Sequence, residues 1–175
     1  EWVKAVRRLC DETGILLIAD EVQTGFCRTG KMFASDYWKD AGCAPDILTM
    51  AKSIAAGMPL SAVTAREEIM EAVPVGTIGG TYCGNAVSCA AALKAIEFME
   101  QHHLHQRAVE IGNKVMSRYK KMKEKYEAVG DVRGLGSMTG IEFVKDKDSK
   151  EPDPDLVKSL IQECVQNGLL VESAG

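Results

Sequence analysis

Apolar residues recur at Trp2, Val3, Val6, Leu9 and Cys10, the spacing of one helix face, and predict a helix over residues 2–12. Gly14 stands where a helix commonly ends on a left-handed residue. The run Ile15-Leu16-Leu17-Ile18-Ala19 is apolar without alternation and closes on Asp20-Glu21. Such a run predicts a strand covered on both faces, as in a parallel sheet. Residues 46–50 predict a second short buried strand, and residues 60–64 a third. Gly25, Gly30, Gly42 and Pro45 make the intervening stretch mostly loop, with a short helix over 35–40. After a Gly-rich loop at 76–84, helical spacing returns over 85–100 and again over 104–126. Gly130 to Gly136 reads as a break, and residues 137–144 alternate as a strand. Asp153-Pro154 is a good helix start, with Asp as N-cap and Pro at the first helical position. That helix is expected to end at Gly168, with Leu169-Leu170-Val171 returning as a strand.

Helices alternating with buried strands in the front part predict an α/β fold. The back part, about 101–175, reads as an α+β module of two helices and two strands, so a domain boundary is placed near residue 100. With 175 residues and 46% apolar content the chain can build a core. A net charge of −4 argues against nucleic acid or an anionic membrane as the main partner. No apolar stretch approaches the roughly 18 residues of a membrane span. The six cysteines are widely spread and form no C-x-x-C pair, which excludes a zinc ribbon. With no secretory signal at the start, reduced thiols in the cytoplasm are the expectation. The chain opens as if inside a helix, without a start methionine, and stops just after a strand, so it reads as cut at both ends.

A strand ending in an acid has several readings. One is the Mg²⁺-binding strand of a nucleotide triphosphatase, and Gly25 to Lys31 does fit G-x-x-x-x-G-K. The motif then ends in Met32, not the hydroxyl residue that would ligate Mg²⁺. The loop also starts five residues past its strand, and the acidic strand should be a separate, later one. A second reading pairs Asp20 with Lys52. Both follow apolar strands, so both fall at strand carboxyl ends, the edge where open α/β sheets bind ligands. A lysine placed there can be desolvated and nucleophilic, and a buried carboxylate beside it needs a cation. Pyridoxal phosphate chemistry needs this pair: a lysine to bond the cofactor and an acid on its ring nitrogen. An Asp–Lys ion pair without cofactor satisfies the same spacing.

The segments Ile18-Ala19-Asp20-Glu21-Val22-Gln23-Thr24-Gly25, Arg28-Thr29-Gly30 and Ala44-Pro45-Asp46-Ile47-Leu48-Thr49-Met50-Ala51-Lys52-Ser53-Ile54-Ala55 resemble the signature of class III pyridoxal-phosphate aminotransferases. Gly79-Gly80-Thr81-Tyr82-Cys83-Gly84-Asn85 resembles their later phosphate segment, and Val132-Arg133-Gly134-Leu135-Gly136 the start of their C-terminal domain. Residues 51–62 with Gly80-Thr81-Tyr82 look most like the 4-aminobutyrate aminotransferases within the class. The resemblance implies a fold-type I enzyme, with residues 1–100 the later part of the large domain and 101–175 most of the small C-terminal one. It implies Lys52 as the lysine that bonds the cofactor and moves the proton, and Asp20 as the acid on the ring nitrogen. Val22 would pack on a ring face, pointing to the same side as Asp20 if the segment is extended. Gln23 would hydrogen-bond the phenolic oxygen, and Thr81 would hold the phosphate of a neighbouring subunit's cofactor, making a homodimer. The implied reaction moves the terminal amino group of an ω-amino acid, foremost 4-aminobutyrate, to the 2-oxo acid 2-oxoglutarate, giving succinate semialdehyde and glutamate. Acetylornithine or ornithine aminotransferase is the alternative within the class; a non-catalytic interaction module is the alternative outside it.

The resemblance covers less than half of such an enzyme. The family's Gly-rich phosphate loop, its ring-stacking aromatic and its carboxylate-gripping arginine fall outside these residues, and Ala86 replaces a usual Pro. His102, His103 and His105 sit at a helix junction without a matching ligand cluster and read as solvated, so no metal site is expected. Arg133 reads as structural, and Cys27 and Cys83 lack a neighbouring base. The isolated 175-residue chain is therefore expected to show weak or no transamination of 4-aminobutyrate with 2-oxoglutarate. A coupled assay for glutamate formation tests this, and robust turnover would contradict it.

Overall fold

The computed structural model describes residues 1–174. In chain order the elements are α1 (Trp2–Thr13), β1 (Ile18–Asp20), α2 (Ser35–Asp40), β2 (Ile47–Met50), a 3₁₀ turn (Lys52–Ala55), β3 (Ala62–Ala65), α3 (Glu67–Glu71), α4 (Ala86–Gln101), α5 (Leu104–Lys125), β4 (Val129–Leu135), β5 (Met138–Phe143) and α6 (Pro154–Gln166). Contacts divide the chain into two compact units. One is Glu1–Ile111 with Leu135–Met138; the other is Gly112–Gly134 with the residues from Thr139 on. The division falls inside α5, some ten residues past the helix junction where the sequence suggests a boundary.

In the first unit the sheet order is β1-β2-β3. β1 and β2 run parallel with Asp20 opposite Thr49, and β3 returns antiparallel with Ala62 opposite Met50. Asp46 fixes this register. Its side chain is buried, and its Oδ2 accepts the Leu17 N–H at 2.7 Å and an Arg7 N–H at 2.8 Å. Arg66 reaches Oδ1 at 3.1 Å. The Asp46 N–H in turn bonds the Leu17 carbonyl at 2.8 Å. The carboxylate thus occupies the place of a ladder partner at Leu17, so regular pairing starts one residue later, at Ile18. Through Arg7 the same group ties down α1, whose C-terminus closes on Gly14 at φ 70 as the sequence predicts. Burial opposes ionisation of Asp46, but the Leu17 N–H and Arg7 overcome it and hold the carboxyl below its ordinary value.

The core of this unit joins the loop after β1 to α4. Phe26, Ile54, Ala55 and Ala92 are buried together, with Met32, Phe33, Met50, Leu60, Ile96 and Met99 around them. Phe26 and Phe33 meet with ring centroids 5.0 Å apart. Asn85 caps α4, its Oδ1 accepting the Val87 and Ser88 N–H groups at 3.1 Å each. That cap makes a Pro at position 86 unnecessary for starting the helix. The Gly136 turn packs on the Arg28–Gly30 turn, where a Cβ would fall 2.4 Å from the Thr29 carbonyl carbon. Gly136 also has φ +58, so only glycine suits both the space and the backbone.

β4 and β5 pair in a two-stranded sheet, and Val129 and Val144 are buried at its end away from the turn. Asp153 caps α6 through the Leu156 N–H at 3.0 Å, with Pro154 at the first helical position as predicted. Asp131 accepts from Lys123 at 2.9 Å and from Arg133 at 3.1 Å, and Arg133 also reaches Glu142 at 3.3 Å. Arg133 is thus tied to its own sheet. The hydrogen bonds from Lys123 and then Arg133 push the Asp131 carboxyl from 3.8 down to about 2.

Several expectations are corrected. The strand is shorter than the apolar run and not covered on both faces: β1 is only Ile18–Asp20, Ile18 is 57% exposed, and Ile15, ahead of the strand, is 61% exposed. β2 is half-buried throughout rather than buried. Gly130 to Leu135 lies within β4, so the break is confined to the turn at Gly136. Gly130 is there because a Cβ would meet Val144 Cγ1 at 2.7 Å, so the glycine permits close packing. Leu169 to Val171 forms no strand; the Leu169 N–H bonds the Cys164 carbonyl at 2.8 Å and closes α6 instead. α3 is an addition, nucleated after Arg66 is drawn to Asp46.

Asp46→Asn is expected to destabilise the protein by about 2 kcal/mol in chemical denaturation, because Arg7 keeps its pair with Asp11 but loses its buried charged partner. The Asp46 carboxyl titrates below its ordinary 3.8 when folded, so its contribution holds above that pH and fades as pH falls through the lower folded value. Stability against pH should therefore flatten below pH 4 in the Asn variant relative to the parent. Gly136→Ala is expected to cost about 2 kcal/mol or more through clash and backbone strain, read as a lowered Tm.

Candidate active site

Asp20 is the last residue of β1, and Lys52 opens the 3₁₀ turn two residues past the end of β2. Because the two strands are parallel and in register, both fall at the carboxyl-end edge of the sheet. Asp20 Oδ1 accepts the Val22 N–H at 3.0 Å and the Thr49 hydroxyl at 3.4 Å. Oδ2 has no hydrogen-bond partner among the described residues. Lys52 Nζ lies 3.4 Å from Gln23 Oε1 and can donate to it.

The turn that carries Lys52 is firmly seated. Ile54 and Ala55, two and three residues on, are buried in the core against α4. Ser53 Oγ accepts from Arg28 at 2.7 Å. The Arg28 carbonyl in turn accepts the Ser137 N–H at 2.8 Å and hydroxyl at 3.0 Å. Lys52 itself has φ 46, a left-handed conformation that a non-glycine residue holds only at a cost of about 1–3 kcal/mol. Strain of this kind concentrates at functional positions, where the surroundings over-determine it.

Asp20, Gln23 and Lys52 therefore share one edge, with Val22 half-buried beside them. Two details differ from the sequence expectation. Asp20 and Lys52 are exposed, not buried, because no described element covers this edge of the sheet. Val22 is not in an extended segment: the chain turns at once after β1, and its N–H folds back onto Asp20. Thr81 stands apart in the exposed loop before α4 and hydrogen-bonds none of the other three among the described residues.

Sequence reasoning missed Glu21, Arg28 and Ser53. Glu21 is 2% exposed, the most deeply buried acid of the chain. The signal was present: side chains of adjacent residues at a strand end point to opposite sides, so in Asp20-Glu21 one acid faces the open edge and the other faces in.

Other candidates fall away. Lys31 of the Gly25–Lys31 loop pairs with Asp40 and lies 4.6 Å from the Tyr37 ring centroid, so it is engaged away from any phosphate. No group of His, Cys, Asp and Glu suited to a metal occurs among the described residues. Burial pushes the Cys27 thiol up, which disfavours the reactive thiolate.

An amine, a carboxylate with one oxygen unpartnered and an amide on a single open edge are the donor set that pyridoxal phosphate requires. The residues present fit the group.

Comparison with known proteins agrees. Residues 1–175 match the family described as Aminotransferase class-III. The chain is 45% identical over 174 residues to 4-aminobutyrate aminotransferase GabT of Escherichia coli, covering 99% of this chain and 40% of that protein. It is 44% identical over 175 residues to 5-aminovalerate aminotransferase DavT of Pseudomonas putida, again covering 40% of that protein. The crystal structure of taurine:2-oxoglutarate aminotransferase from Bifidobacterium kashiwanohense, in complex with PLP and glutamate, superposes with a TM-score of 0.89 at 30% identity, over 98% of this chain and 40% of that one. The chain thus spans about 40% of the length of the relatives it matches. With its lysine, acid and amide gathered on one sheet edge, the chain belongs to the class-III aminotransferases, a pyridoxal-phosphate-dependent family of enzymes.

Proposed function

We propose that the protein carrying this chain transfers the terminal amino group of an ω-amino acid to 2-oxoglutarate. The donor proposed is 4-aminobutyrate, with succinate semialdehyde and glutamate as products. The observation that carries the reading is the Lys52 amine beside Gln23, on the sheet edge that ends in Asp20. Similar identity to enzymes named for 4-aminobutyrate and 5-aminovalerate supports the ω-amino acid class. One methylene of donor length is worth only about 1–3 kcal/mol in a pocket, so a small change there selects between them.

Pyridoxal phosphate, when bound, supplies an electron sink for the carbon that loses its proton. Lys52 would hold the cofactor covalently and, once freed, take the proton from the carbon bearing the donor amino group. The unpartnered oxygen of Asp20 would accept a hydrogen bond from the ring nitrogen and keep it protonated. Gln23 would turn from Lys52 to the phenolic oxygen, and Val22 would pack on a ring face. Thr81 would hold the phosphate of the cofactor in a second subunit, in a homodimer. Its distance from the other site residues in the sequence and its exposed loop are consistent with that role. Residues 1–100 would belong to the large domain and 101–175 to the small one. The cysteines of the chain are all free, which suits a cytoplasmic enzyme.

The test uses the full-length protein. Pyridoxal phosphate should give a visible absorbance band, and borohydride should fix the cofactor to Lys52, as mapped by mass spectrometry. Lys52→Ala should abolish the labelling and lower transamination by about 10²-fold or more. Glutamate formation should be faster from 4-aminobutyrate than from ornithine or acetylornithine. No band in the clean protein would overturn the reading.

A further inference from the structure

We propose that Glu21 is a positioning residue for the cofactor site, acting through the backbone segment that carries Asp20, Val22 and Gln23; this rests on the function proposed above. The residue is 2% exposed, and its carboxyl group is shared by the nearby Thr24 and by donors from the start of α2. Oε1 accepts the Ser35 N–H at 2.6 Å, Oε2 accepts the Ala34 N–H at 3.0 Å, and Oε2 also accepts the Thr24 hydroxyl. Its backbone is held as well: the N–H donates to Thr49 O at 2.9 Å, and the carbonyl accepts the Gly25 N–H at 2.9 Å. A Cβ at residue 25 would lie 3.0 Å from that carbonyl oxygen, so the turn closes tightly on Glu21.

Glu21 is thereby pinned to β2, to the Thr24-Gly25 turn and to the start of α2. The residues immediately before, after and two beyond it are Asp20, Val22 and Gln23. Asp20 is also paired with Thr49 in the sheet and accepts the Thr49 hydroxyl, but the two residues after Glu21 have no comparable anchoring: Val22 is held by its N–H to Asp20, and Gln23 by its contact with Lys52. No cation pairs with Glu21 among the described residues, so neutral donors alone satisfy a buried acid. Burying such a group is costly unless both oxygens are bonded. Two backbone N–H groups on separate oxygens require an acceptor at both ends. Glutamine cannot supply that, because its amide nitrogen would face one of those N–H donors. Glutamate is thus the side chain that fits, and its function is the placing of its neighbours.

The experiment compares Glu21→Gln with the parent in the full-length protein, by amide hydrogen exchange without cofactor and by pyridoxal phosphate titration. Thr24→Val, which removes only the hydroxyl donor, is the milder second variant if the first does not fold. Glu21→Gln should speed exchange at Ala34, Ser35, Val22 and Gln23 by tenfold or more and raise the Kd for pyridoxal phosphate by roughly tenfold. Thr24→Val should shift both in the same direction, by about threefold. Unchanged exchange overturns the proposal whatever the cofactor does. Faster exchange with a Kd within twofold of the parent also overturns it, since the residue would then serve stability alone. If the parent never fixes cofactor on Lys52, the functional reading falls, and that result is separate from either outcome in the variants.

Discussion

The Asp46 carboxylate is the contact on which the first unit depends. It sits between α1, the approach to β1 and the turn after β3, and each sends it a donor. Remove it, and Arg7 loses its buried partner while the Leu17 N–H loses its acceptor. The register of β1 on β2 is set by that same exchange between Leu17 and Asp46. Asp20 lies three residues beyond Leu17, about 10 Å along β1 at about 3.3 Å per residue, and Lys52 follows the end of β2, so their relative placement is decided at the opposite end of the strand pair.

The acids of this unit divide by what satisfies them. Asp46 is buried and bonded by arginines as well as a backbone N–H, and its charge is held. Glu21 is buried and bonded only by neutral groups. Asp20 lies exposed, with one oxygen engaged and one not. A carboxylate kept for a ligand should differ in this way from those used to build: its geometry is fixed by one oxygen while the other stays available. The arrangement around Lys52 repeats the theme, since the backbone after it is locked by Ile54 and Ala55 while the amine itself stays near the surface.

Much of the fold was legible from local signals. Gly14 and Asp153-Pro154 mark helix ends through capping chemistry that needs no tertiary information. Asp20 and Lys52 were legible because each follows an apolar run. What was not legible depended on partners distant in sequence. The 129–135 strand hides behind glycines whose meaning appears only when Val144 is packed against Gly130. The apolar run at 15–19 suggests complete burial, but Ile15, Leu16 and Ile18 are exposed, because an apolar run reports what can be buried and not what packs on it. Glu21 could not be ranked above Asp20 without knowing that Ala34 and Ser35 return to meet it. Leu169 to Val171 has strand composition, but the Leu169 N–H is taken by the end of α6.

The left-handed backbone at Lys52 bears on what can occupy that position. An exposed lysine contributes little packing, and a glycine would sit at φ 46 without penalty. Lys52→Gly would therefore relieve backbone strain while removing the amine. A lysine held at φ 46, with Ala56 at φ 49 closing the same turn, means that the backbone here is shaped by its surroundings and not by the preference of the residues that occupy it.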